Sequence, residues 1–260
     1  MIPKTQEGDC RPRPATKNAP GQQGDRIWQA LSSAHTQWPA GLCKEHMATM
    51  REQFYGDSRD VSKWSVIAQL AAGHQVRNVL QVAMLRPDRP DTQGSTRHDP
   101  LYCHPRVKAF FDRERQIGVR DLRRVSSLPA HCNFSFRVDV VGEGFWGEGF
   151  GPYRAAYFRG VLARLAALSD PKLVLLDPDT GITTERYPSP EHVGVKELST
   201  VHECLVQGDV LLIYQHKPRF TRTGAKWWLK AEGLLRDATR KSASIRSFVD
   251  DDVAFIAVVR

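Results

Sequence analysis

The sequence predicts a doubly wound α/β fold with a mostly parallel sheet and a closing antiparallel hairpin. Three observations predict it. Short apolar runs at residues 173–176 and 210–213 have the length and continuity of strands buried on both faces, and 76–85 reads as the first strand of the sheet. Segments between them, 153–168 and 197–206, repeat their apolar residues at helical spacing. After a last helical segment, 226–239, two strand-like runs at 243–248 and 253–259 are separated by Asp250-Asp251-Asp252, which suits a hairpin turn. Alternation of strand and helix implies parallel strands with helices on both faces.

The elements follow in order. Residues 1–25 carry four prolines, several basic residues and almost no large apolar side chain, so they read as a disordered basic arm before a single domain at 26–260. Trp28, Leu31, Trp38, Leu42 and Met47 suggest helical pieces within 27–50. A clearer helix follows, with Asp60 as its N-cap, Trp64, Ile67, Ala68, Leu70 and Ala71 on its apolar side, and Gly73 as its stop. The first strand, 76–85, leads through a polar, proline-rich loop at 86–105 to a helix over 107–115. Residues 134–141 alternate apolar and polar as a strand does. Next comes a glycine-rich stretch at 142–152 whose spacing matches neither a P-loop nor a dinucleotide fingerprint. Phe158, Val161, Leu162, Leu165 and Leu168 then share one helix face, and Leu198, Val201 and Leu205 another, with Gly208 closing the second helix.

Composition narrows the class. At 260 residues the chain can bury a substantial core without staples. Its formal charge of +8 is compatible with a polyanionic partner such as nucleic acid. The five cysteines are widely spaced, contain no C-x-x-C pair and suit reduced thiols in a cytoplasmic protein. Cys103, His104 and His98 resemble only half a zinc site. No apolar stretch is long enough to span a membrane, and the N-terminus lacks the apolar core of a signal peptide.

Chemistry-bearing residues gather at strand ends. The 173–176 strand ends in Asp177-Pro178-Asp179-Thr180-Gly181, and the 210–213 strand in Tyr214-Gln215-His216, with Arg219 close behind. Ligands of open α/β sheets sit beyond the carboxyl ends of the strands, where two carboxylates and an imidazole are placed for chemistry. Asp177 and Asp179 also suit a plain turn. Tyr55, Asp57, Asp60 and Lys63 cluster at a helix beginning, where free N–H groups can receive an anion; ordinary capping explains the same spacing.

The set Tyr55-Gly-Asp-x-x-Asp60-x-x-Lys63, Leu176-Asp-Pro-Asp-x-Gly-Ile182 and Tyr214-Gln-His-x-x-Arg219 resembles a bacterial family of uncharacterised proteins, over about residues 54 to 220. More distantly the chain is similar to Rossmann-like class I methyltransferase-fold proteins, including the three-Cys-motif partner proteins. The resemblance implies a methyltransferase-like group-transfer enzyme acting on nucleic acid or a nucleotide, with S-adenosylmethionine as cofactor. Asp177 would then polarise the acceptor, Asp179 and His216 would move protons, and Lys63 and Arg219 would hold phosphate. Two alternatives stand beside it. In a metal-dependent nuclease or phosphoesterase, Asp177, Asp179, Asp57 or Asp60, and His216 would hold a divalent cation. In a non-catalytic nucleic-acid-binding module the cofactor site has decayed, in line with the absence of glycine from Ala83-Met84-Leu85-Arg86-Pro87.

Overall fold

The computed structural model describes residues 55–84, 99–142, 150–169, 171–184, 189–218, 226–240 and 244–260. Among them a six-stranded sheet runs in the order β2-β1-β3-β6-β8-β7, built from β1 (Asn78–Ala83), β2 (Arg137–Val141), β3 (Lys172–Asp177), β6 (Val210–His216), β7 (Ser244–Asp250) and β8 (Val253–Val259). The first four are mutually parallel, while β8 runs antiparallel to both β6 and β7. This is the doubly wound, mostly parallel sheet with a C-terminal hairpin that the apolar periodicity predicts. Between β1 and β2 lie α1's successors α2 (Pro105–Ile117), a 3-10 turn (Leu122–Ser127) and α3 (Leu128–Cys132); α1 itself (Ser58–Gly73) precedes β1. The remaining helices are α4 (Phe150–Ala167), α5 (Val195–Glu203) and α6 (Leu229–Ala238).

The strand period of two divides the core into two layers. Val79, Ala83, Leu173, Leu175, Val210, Leu212 and Tyr214 face α1, α2 and the 3-10 turn. Leu80, Val82, Val174, Leu176, Leu211 and Ile213 face α4, α5 and α6. Gln81 and Asp177 share the parity of the first layer, so their side chains turn toward α1. Trp64 of α1 is fully buried in that layer, and a wholly buried large apolar side chain contributes about 1.5–3 kcal/mol.

Several details differ from expectation. The cap of α1 is Asp57, three residues before Asp60. Asp57 has extended backbone, and its carboxylate accepts from the N–H groups of Arg59 and Asp60, the geometry an N-cap requires. Asp60 lies inside the first turn. Helix α5 begins two residues earlier than expected and ends at Glu203, three before Val206. The 3-10 turn and α3 were not expected, and neither was a small parallel pair of three-residue strands, β4 (Gly181–Thr183) and β5 (His192–Gly194). Runs of three residues are too short to show a period. The expected basic arm, the helical pieces within 27–50, most of the 142–152 glycine-rich stretch, His98 and Arg219 lie outside the described residues.

Candidate functional site

In the strand order, β1 is flanked by β2 on one side and β3 on the other, so the chain reverses its winding between β1 and β3. This switch point is where an open α/β sheet leaves a crevice at its carboxyl end. Asp177 ends β3 there, and Lys63 reaches it from α1 with Nζ 2.9 Å from Asp177 Oδ2 and 2.9 Å from Asp60 Oδ1. Gln81 donates its Nε2 to the same Asp177 oxygen at 2.7 Å. Asp60 Oδ2 accepts the Gly56 N–H at 2.8 Å, closing the turn before the helix. Lys63 Nζ also stands 5.3 Å from the centre of the Tyr214 ring on β6. The helix α1 and the strands β1, β3 and β6 thus meet around one buried ammonium, Lys63 and Asp177 being 114 positions apart.

The charges in this cluster do not balance. Asp57, Asp60 and Asp177 are each more than nine-tenths buried, as is Lys63, the one cation among them. Asp57 Oδ2 and Gln81 Oε1 are buried acceptors with no partner. The electrostatics follow. Burial works against the charge of Lys63, but Asp177 and Asp60 outweigh it and raise the lysine pKa. Burial first, then the like charge of Asp60, pushes the Asp57 carboxyl up to about 7. Arg59, which lies further out on the rim, is held by Asp252 in the β7–β8 turn.

The rim beyond β6 is fixed by the backbone and by one amide. His216 N–H donates to the Thr180 carbonyl at 2.9 Å, bringing the Asp177–Gly181 turn beside the end of β6. Gln215, pointing the other way, accepts from Ile182 N–H at 2.9 Å and donates to the carbonyls of Thr180 and His216. It packs so closely over Gly181, at φ 132°, that a Cβ there would run into its amide. His216 Nε2 lies 2.9 Å from the Tyr214 hydroxyl. Burial, reinforced by Arg59, lowers the His216 pKa to about 4, so its ring is neutral near pH 7. Burial likewise keeps the Tyr214 hydroxyl protonated.

The predicted residues therefore converge unevenly. Asp177 and His216 emerge from neighbouring parallel strands at one rim, as the strand-end argument required, with Asp179 half-buried in the turn between β3 and β4. Tyr214 and Lys63 join them. Tyr55 is turned aside, its hydroxyl 3.5 Å from Glu114 of α2. The N–H groups at the start of α1 do not stand open to an anion: the Asp57 carboxylate occupies two of them. Lys63 is enclosed by carboxylates and does not reach outward for phosphate. Among the described residues no group of three or more His, Cys, Asp or Glu side chains is arranged to hold a metal ion, and His104 Nδ1 accepts instead from Arg106 N–H. Gln81 escaped the sequence reading, although an amide inside the run Val79-Leu-Gln-Val-Ala-Met84 was its signal. The lock of Gln215 on Gly181 also went unread, since both residues suit turns on their own.

No family model matches the chain, and no curated protein does. Among solved structures it is similar to an O-methyltransferase family protein from Burkholderia thailandensis, at 10% identity over 78% of this chain, with a TM-score of 0.37. The S-adenosylmethionine-dependent methyltransferase SibL in its apo form is similar at 15% identity over 76% of this chain, with a TM-score of 0.35. The chain spans only 57% and 55% of those two proteins. A DUF574 family protein from Streptomyces avermitilis is matched over 91% of this chain and 90% of its own, at 11% identity and a TM-score of 0.40.

Proposed function

We propose that the protein is a methyltransferase-like group-transfer enzyme acting on nucleic acid or a nucleotide, with S-adenosylmethionine as donor. The observation that carries the reading is the surplus of acceptors at the switch point: Lys63 bonds Asp60 and Asp177 together, Asp57 is buried nearby, and Asp57 Oδ2 and Gln81 Oε1 have no partner. A buried acceptor without a donor loses about 1–3 kcal/mol, which a fitting ligand recovers. S-adenosylmethionine carries an ammonium, a sulfonium and one carboxylate, and this donor-poor, acceptor-rich set fits its net positive charge. Gln81 and Asp57 would hold its positive groups. When bound, the cofactor supplies an electrophilic methyl.

The chain's own residues have separate tasks in this reading. Lys63 and Gln81 fix the Asp177 carboxylate from two sides. Tyr214 orients the His216 ring, and a neutral imidazole at the rim can accept the proton that an amino or hydroxyl acceptor releases. Asp179, in the adjoining turn, shares that rim. Loss of a general base lowers turnover about 10²–10⁴-fold, so His216→Gln is expected to reduce methyl transfer by that order and leave cofactor binding intact. Calorimetric titration with S-adenosylmethionine and its demethylated product tests the reading directly. Heat weakened in Asp57→Asn, a variant that should stay folded, supports it; silence from both ligands at about 1 mM, the weak end of specific affinity, sinks it.

A further inference from the structure

Residues 113–124 hold five arginines (Arg113, Arg115, Arg120, Arg123 and Arg124) against two acidic residues. Gly118, at φ 75°, ends α2 in the left-handed conformation and turns this segment toward the 3-10 helix. Contacts tie it to both margins of the candidate site. The Arg115 guanidinium donates to the Gly56 carbonyl, just before α1. Arg123 donates to the Gly142 carbonyl at 3.3 Å, just past the carboxyl end of β2. Glu114 accepts from the Arg124 guanidinium through both oxygens, at 2.9 Å to Oε1, and from the Tyr55 hydroxyl at Oε2.

A basic segment therefore lies against the turn before α1 and against the carboxyl end of β2. Glu114 is buried beneath it, while Arg113, Arg120 and Arg123 are exposed. Ile117 and Val119, each 46% exposed, lie between the arginines. The geometry points to this segment as the seat of the phosphate backbone of a nucleic acid, which leaves the acceptor base or end to enter the crevice. Guanidinium forks match phosphate oxygens in pairs, and several phosphates held at once give salt-sensitive binding that tolerates any sequence. Acids bonded to the inner arginines hold those side chains in place, and a guanidinium still has donors to spare for phosphate. This surface rests on the nucleic-acid part of the proposed function and narrows it to a polymer with several phosphates.

Fluorescence anisotropy with a labelled single-stranded oligonucleotide of about 20 nucleotides, long enough for several phosphate contacts, tests the inference. Binding is expected to weaken at least about tenfold between 50 and 200 mM salt. The triple variant Arg113→Glu, Arg120→Glu, Arg123→Glu is expected to bind at least about tenfold more weakly, with a salt slope smaller by about 2–3. Its melting temperature and its heat with S-adenosylmethionine should match the parent's. If the triple variant melts early, Arg113→Gln with Arg120→Gln carries the same comparison. Unchanged affinity in the variant, no binding at 50 mM salt, or tighter binding to phosphatidylserine vesicles than to the oligonucleotide would overturn it. The two readings separate cleanly. Arginine-dependent oligonucleotide binding without cofactor heat keeps the basic surface and removes the enzyme; cofactor heat without oligonucleotide binding does the reverse.

Discussion

Two buried lysines stand at opposite ends of the same pair of parallel strands, and they are partnered differently. At the amino end Lys172 begins β3 and meets Asp209, just before β6, with Nζ 3.1 Å from Oδ2. Asp209, fully buried, also accepts from the N–H groups of Lys172 and Val206 at 2.9 Å each. One charge faces one charge, and neither side chain leaves a buried polar atom without a partner. At the carboxyl end Lys63 faces Asp60 and Asp177, with Asp57 close by, and two acceptors stay empty. A balanced pair ties strands together; an unbalanced one leaves buried acceptors unmet.

Removing the partner in the balanced pair has the largest expected effect. Asp209→Ala strands a buried ammonium and should cost about 3–5 kcal/mol in urea denaturation. Lys63→Met should cost a similar amount at neutral pH, because it leaves carboxylates crowded without a cation. The two variants part when a neighbouring carboxylate is also removed: adding Asp57→Asn should return part of the Lys63→Met deficit and none of the Asp209→Ala deficit. Equal deficits with and without that change would show that the two lysines play the same part.

The next effect tests the turn beside the site. Gly181→Ala combines a positive φ with a collision against Gln215, and should cost about 1–3 kcal/mol. Pairing it with Gln215→Ala should recover part of the loss if the collision dominates.

Proton linkage gives a finer distinction. Asp57 has a folded pKa near 7, above its ordinary 3.8, so between those values the folded state binds more protons than the unfolded one. Stability from this group therefore falls as pH rises through that window. His216 has a folded pKa near 4, below its ordinary 6.5, so its contribution rises with pH between those values. The two slopes oppose each other. Asp57→Asn should expose the rising limb, and His216→Gln the falling one, in denaturation curves collected from pH 4 to 8. An unchanged profile in either variant would refute the assignment.

The smallest effect is the most telling. Asp57→Asn keeps an N-cap side chain and removes a carboxylate that repels Asp60, so its cost at pH 7 should stay under about 1 kcal/mol. A buried aspartate that can be neutralised almost freely contrasts sharply with Asp209.

How much of this was legible beforehand depends on range. Strand and helix identity came from periods of 2 and 3.6, which are written locally, and so the parallel sheet and hairpin emerged in the expected order. The shared rim of Asp177 and His216 was legible too, because parallel neighbours present the same end. Which side chain neutralises Asp177 was not. Lys63 lies 114 positions away, and only the packing of α1 on the first sheet face brings it there. The cap moved from Asp60 to Asp57 for a similar reason: either residue is a good cap in isolation, and the Lys63 contact draws Asp60 into the first turn. Local periodicity decides which segments become strands and helices, since each residue's face depends on its near neighbours. Charge compensation inside the crevice belongs to the tertiary structure, because an ionised group buried from water answers to whatever the fold sets beside it.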